Sequence, residues 1–72
     1  MEKFHEKLKI LRKKKGLTQQ EVADLLNVNR VTYTKWELGN RNPNYEKLSM
    51  LVCIFDVSLD YLLGDYLQKG KK

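Results

Sequence analysis

The sequence predicts an all-α fold, a compact domain of five helices. Three observations carry that expectation. Apolar residues recur at the three- and four-residue spacing of a helix face, and no stretch alternates with the period of a strand. Short polar residues suited to helix N-caps, Thr18, Asn29, Asn44 and Ser58, stand where these stretches open. Glycines, Gly16, Gly39 and Gly64, stand where three of them close.

The first helix is expected from about Lys3 to Lys15. Phe4, Leu8 and Leu11 fall at i, i+4 and i+7 and form one apolar stripe. Lys13, Lys14 and Lys15 suit the negative end of the helix dipole, and Gly16 stops the helix. The second opens with Thr18-Gln19-Gln20-Glu21, a capping box, flanked by Leu17 and Val22 as a hydrophobic staple. Val22, Leu25 and Leu26 are expected to face the core. The helix stops near Asn27, a residue that tolerates the left-handed conformation. Asn29 caps the third helix, Val28 and Tyr33 can form a second staple, and Gly39 follows Leu38 as its stop. The Asn40-Arg41-Asn42-Pro43 segment resists helix formation. Asn44 caps a fourth helix with Leu48, Leu51, Val52 and Phe55 on one face. Val57 and Ser58 open a short fifth helix carrying Leu59, Leu62 and Leu63. Residues 1–66 are read as one domain and 67–72 as a frayed basic tail.

Composition narrows the function. A chain of 72 residues has room for one modest core. One cysteine excludes an intramolecular disulfide and a multi-cysteine metal site, and suits a reducing compartment. No apolar run approaches the roughly 20 residues of a membrane span, and no signal-peptide core is present at the start. The net charge of +5 is unevenly placed. Residues 1–47 hold eleven Lys or Arg against six Asp or Glu, whereas 48–72 hold three of each. One part of the surface is therefore electropositive, which either solubilises a helix face or favours an anionic partner.

The third helix separates these alternatives. With Arg30 at zero and about 100° per residue, Thr34, Leu38, Val31 and Lys35 lie within roughly 140°, whereas Tyr33, Trp36 and Glu37 lie between about 240° and 340°. Tyr33 and Trp36 anchor the helix, and the opposite arc faces out. Val31 and Leu38 gain nothing from facing water. The turn Asn27-Val28 between two independently capped helices is short, the arrangement that projects a second helix. A DNA major groove admits one α-helix, read by residues near its N-terminus. Arg30 can fork onto guanine O6 and N7, Lys35 can reach a guanine or a phosphate, and Val31 and the Thr34 methyl can touch a thymine methyl.

The stretch LTQQEVADLLNVNRVTYTKWELGNRNP, followed by VSLDYLLG, resembles the Cro/repressor-type helix-turn-helix family, also called the xenobiotic-response-element family. The resemblance extends from about Leu8 to Gly64. It rests on Leu17-Thr18-Gln19, Ala23, Trp36-Glu37-x-Gly39 with Pro43 four residues on, and Val57-Ser58-Leu59-Asp60-Tyr61-Leu62-Leu63, in that order and spacing. It implies a lambda-repressor-like five-helix domain that binds operator DNA, usually as a dimer on a palindrome. It implies base contacts by Asn29, Arg30, Val31, Thr34 and Lys35. Phosphate contacts are implied for Gln19, for Asn40 and Arg41 in the loop after the reading helix, and for Thr18, whose helix N-terminus presents backbone N–H groups. It also suggests an Arg12–Glu37 pair tying the first helix to the third. Asn27 stands where the family often has Gly, and Tyr33 where it often has Ile or Val.

The remaining reactive residues offer little chemistry. His5 lacks partners for metal or acid–base work and reads as a surface histidine. Cys53, among apolar residues, reads as a small buried hydrophobe. Lys13-Lys14-Lys15 fits a phosphate anchor or a solvated helix end equally. No Gly-rich phosphate loop and no nucleophile–base pair occurs, so no enzyme, cofactor or metal is expected. The expected function is sequence-specific binding of double-stranded DNA by a cytoplasmic, nucleoid-associated transcriptional regulator, a repressor of bacterial or phage type, placing residues 29–38 in the major groove of a palindromic operator. A homodimer through Leu59–Leu67, which lacks positive charge, would match that symmetry. The rival readings are an antitoxin that also binds a protein toxin, and a protein-interaction adaptor that binds no DNA.

Overall fold

A computed structural model describes residues 3–64, with five helices in order: α1 (Phe4–Lys14), α2 (Gln19–Leu26), α3 (Arg30–Leu38), α4 (Tyr45–Phe55) and α5 (Leu59–Leu62). The described residues contain no strand. The expected tail at 67–72 lies outside them.

Each helix starts where a side chain satisfies a backbone N–H that the helix itself leaves orphaned. At α2 the box is reciprocal: Glu21 N–H donates to Thr18 Oγ1 at 3.1 Å, and Thr18 N–H donates to Glu21 Oε1 at 2.8 Å. Asn29 Oδ1 accepts from Thr32 N–H at 2.8 Å, Asn44 Oδ1 from Lys47 N–H at 2.9 Å, and Ser58 Oγ from Tyr61 N–H at 3.0 Å. At α1 the Glu6 carboxylate accepts from Lys3 N–H at 2.9 Å. Left-handed residues end the first four helices: Gly16 (φ 72°) just past α1, Asn27 (φ 59°) after α2, Gly39 (φ 82°) after α3 and Asp56 (φ 56°) after α4; α5 ends instead at Leu63 (φ −105°), and the expected stop Gly64 is not left-handed. The turn between α2 and α3 is only Asn27-Val28-Asn29, and Val28 N–H returns to Ala23 O at 3.0 Å.

The core draws on every helix. Phe4, Leu8 and Leu11 from α1 meet Val22, Ala23 and Leu26 from α2, Tyr33 and Trp36 from α3, Leu51 and Phe55 from α4, and Leu62 from α5. Burying each of the larger side chains removes apolar surface worth about 1.5–3 kcal/mol before conformational entropy is counted. The Tyr33 and Trp36 rings pack edge to face, 6.0 Å apart at 75°. Helix α3 lies against both α1 and α2, and α4 against α2 and α5. Two lysines tie helix ends across the domain. Lys47 Nζ donates to Leu26 O at 2.7 Å and so occupies a carbonyl at the end of α2. Lys7 Nζ donates to Tyr61 O at 2.7 Å and sits 4.9 Å from the Tyr61 ring centre.

Two expected core positions are corrected. Leu25 is 53% exposed. The buried arc of α2 is centred between Leu26 and Ala23, whose small side chain lets neighbouring helices approach, and Leu25 falls beyond its edge. Cys53 is exposed, because on α4 it lies opposite the Leu51–Phe55 stripe.

Candidate nucleic-acid interface

The outward face of α3 is built by anchoring its inward face. Tyr33, Trp36 and Glu37 are buried, which leaves Arg30, Val31, Lys35 and Leu38 exposed along the opposite arc. Val31 and Leu38 are 57% and 63% exposed, so the outward arc carries apolar side chains beside its cations. Asn29 is exposed at the N-terminus of α3, with its Oδ1 engaged as the cap. Thr34 is half-buried.

The flanks of α3 carry the other expected residues. Asn40 and Arg41 are exposed in the loop after α3, and their backbone N–H groups both point at Lys35 O, at 3.0 and 3.4 Å. Thr18 is exposed at the N-terminus of α2, and Gln19 is half-buried beside it. Lys13, Lys14 and Lys15 are all exposed at the end of α1. His5 is half-buried rather than on open surface: its ring packs against Gly39, where a Cβ would stand 3.0 Å from Nδ1.

Beneath this surface a polar chain joins three helices. Arg12 Nε donates to Glu37 Oε2 at 2.7 Å, and Arg12 Nη1 donates to Leu17 O at 2.9 Å. Gln19 Nε2 donates to Glu37 Oε1 at 3.1 Å, and Thr34 Oγ1 donates to Gln19 Oε1 at 3.0 Å. The side chains of Arg12 and Glu37 are 11% and 3% exposed, so each charge depends on the other for solvation. Burial pushes the Glu37 carboxyl up, but the Arg12 guanidinium, the nearby Tyr33 hydroxyl and the Gln19 amide outweigh it and hold it below the usual carboxylate range. The hydrogen bond to Glu37 raises Arg12 still further, against desolvation. The Tyr33 hydroxyl is buried beside this pair but makes no aligned hydrogen bond. Burial first, and the Glu37 carboxylate second, push its ionisation up.

The arrangement suits recognition of an anionic, grooved partner. Exposed cations lie on and beside a projecting helix, with apolar contacts between them and donors at a helix N-terminus. Among the described residues no group of His, Cys, Asp and Glu is placed to hold a metal. Two supporting contacts have no counterpart in the sequence pattern, Lys47 of α4 on the Leu26 carbonyl and the His5 ring against Gly39. Neither has a local signal, because each acts on a residue distant in the chain.

Comparison with known proteins agrees with this geometry. The profile of a helix-turn-helix family matches residues 8–62. The uncharacterized HTH-type transcriptional regulator YqaE of Bacillus subtilis is 55% identical over 60 residues, covering 83% of this chain and 52% of the relative. The HTH-type transcriptional regulator AnsR of the same species is 45% identical over 64 residues, covering 89% and 55%. The chain thus spans about half the length of these curated relatives. Among solved structures, the P22 c2 repressor protein in complex with a synthetic operator superposes with a TM-score of 0.82 at 30% identity, covering 88% of this chain and 96% of that one. A transcriptional regulator from Listeria innocua gives 0.81 at 39%, covering 86% and 58%.

Proposed function

The chain belongs to the helix-turn-helix family of transcriptional regulators, and from that premise we propose that it binds double-stranded DNA sequence-specifically, as a repressor on a palindromic operator. The observation that carries the reading is the division of α3. Its inner arc is locked into the core, while Arg30, Val31 and Lys35 stand exposed on the arc that would enter the major groove. The P22 c2 repressor, a structural neighbour, is seen with operator DNA, which supports the same docking here.

In this reading Arg30 forks onto a guanine, Val31 meets a thymine methyl, Lys35 reaches a guanine or a phosphate, and Asn29 offers its amide nitrogen at the helix tip. Thr18, Gln19, Asn40 and Arg41 grip the phosphates on either side and set the register. The protein acts in the cytoplasm, without cofactor or catalysis. A homodimer forms through the Leu59–Leu67 region, of which residues 65–67 lie outside the described part. Within that region Leu62 is fully buried in its own domain, so the contact falls to Tyr61, which is 48% exposed, and to the half-buried Leu59 and Leu63.

The test is selection from randomised duplexes, then fluorescence anisotropy on the winner and a scrambled sequence at two salt concentrations. A palindromic winner bound about a thousandfold more tightly than the scrambled duplex is the expected result. Equal, steeply salt-dependent binding of both would reduce the face to a basic surface and favour a protein partner instead.

A further inference from the structure

Both ends of the Gln19 amide are engaged inside the protein. Its nitrogen donates to Glu37 Oε1 at 3.1 Å, and its oxygen accepts from Thr34 Oγ1 at 3.0 Å. A primary amide can sit either way round, but here a carboxylate requires the nitrogen and a hydroxyl supplies the oxygen's donor. Glu37 is in turn fixed by Arg12 at 2.7 Å. One N–H of the amide is left over. Gln19 is the first residue of α2, where backbone N–H groups and the helix dipole already favour an anion.

Thr34 lies one turn along α3 from Arg30, on the arc expected to read bases. Its hydroxyl is turned instead towards α2. A helical threonine commonly returns its hydroxyl to a carbonyl of the preceding turn. At Thr34 the hydroxyl bonds across to a neighbouring helix, and the side chain is half-buried.

We infer that Thr34 is a positioning residue, not a base-reading one: its hydroxyl fixes the Gln19 side chain so that the remaining amide N–H and the α2 N-terminus hold one phosphate. Thr34 then governs how firmly any duplex is gripped, and Arg30, Val31 and Lys35 govern which duplex is preferred. The inference rests on the DNA-binding reading above.

Two substitutions separate the hydroxyl from the methyl. Thr34→Val keeps the shape and the methyl but replaces the hydroxyl donor with a second methyl, whereas Thr34→Ser keeps the donor and loses the methyl. Each is compared with the unaltered chain by anisotropy on the selected duplex and on all its single-base-pair variants, well below the melting temperature of every protein. Thr34→Val is expected to weaken all duplexes alike, by about three- to tenfold, the worth of one hydrogen bond, with their ranking unchanged. Thr34→Ser is expected to restore most of that loss. In a Gln19→Ala background Thr34→Val should cost nothing more, because the group it acts through is gone. A change of preference confined to one base pair in either variant would overturn the inference, as would an equal loss in the presence and absence of Gln19. If the unaltered chain binds no duplex, the DNA-binding reading itself fails. If it binds with preference and the variants behave in the second way, only the role of Thr34 fails.

Discussion

Glu37 belongs to α3, yet its carboxylate accepts hydrogen bonds from Arg12 on α1 and Gln19 on α2. Its pKa lies below the ordinary carboxyl value of 4.5 in the folded protein, so the unfolded chain binds the proton more readily. The stabilisation is therefore complete above about pH 4.5 and is lost as the pH falls through the depressed folded value. Glu37→Gln should cost about 3–5 kcal/mol near neutrality, the range for breaking one partner of a buried pair. The gap from the unaltered protein should narrow on acidification, which urea titrations at about pH 7 and about pH 2.5 would show. Exposed arginines should behave differently from each other. Arg30→Ala should cost about 1–3 kcal/mol of binding and relax the choice at one base pair. Arg41→Ala should weaken all sequences alike and flatten the salt dependence. Anisotropy across a duplex panel distinguishes them, and equal losses everywhere from both would refute the division of labour.

At the scale of the helices, Gly39 is the most constrained stop. Its φ of 82° lies where L side chains are strained, and the His5 ring stands 3.0 Å from where a Cβ would be. Gly39→Ala should therefore destabilise the domain by about 1–2 kcal/mol from the left-handed conformation alone, with the displaced imidazole adding to it. Thermal unfolding of Gly39→Ala with and without His5→Ala would separate the two contributions. Most element boundaries were legible in the sequence because a cap acts within about four residues of itself, as Thr18 with Glu21 and Asn29 with Thr32 do. The anchored face of α3 was legible because two aromatic residues define an arc. Leu25 and Cys53 depart from the apolar pattern for a related reason: counting apolar residues does not locate the centre of the buried arc, and at α2 a small Ala23 lies inside it. The Thr34–Gln19 and Lys47–Leu26 bonds were not legible, since they join residues 15 and 21 apart that no local periodicity relates.

Over the whole molecule, the basic residues are unevenly distributed along the chain. The basic residues concentrate in 1–47, whereas the segment proposed for pairing between copies carries none of its own between Leu48 and Leu67, although Lys7 of α1 lies against Tyr61. A hollow of about 210 Å³ lined by Phe4, Asn42, Pro43, Leu48 and Leu63 opens beside the end of α5, next to that segment. Two copies joined there could keep both α3 helices free for successive half-sites. Equilibrium sedimentation should show a dimer on the selected duplex, and Tyr61→Asp should weaken pairing without unfolding the monomer. A monomer both free and bound would remove this arrangement. The lysine at the end of α2 carries a separate lesson about inheritance. Because Lys47 on α4 closes Leu26 O, the α2–α3 pair is not a self-sufficient cassette. A graft of residues 19–38 into a relative would leave that carbonyl without its donor unless the host also has a long basic side chain at the matching place.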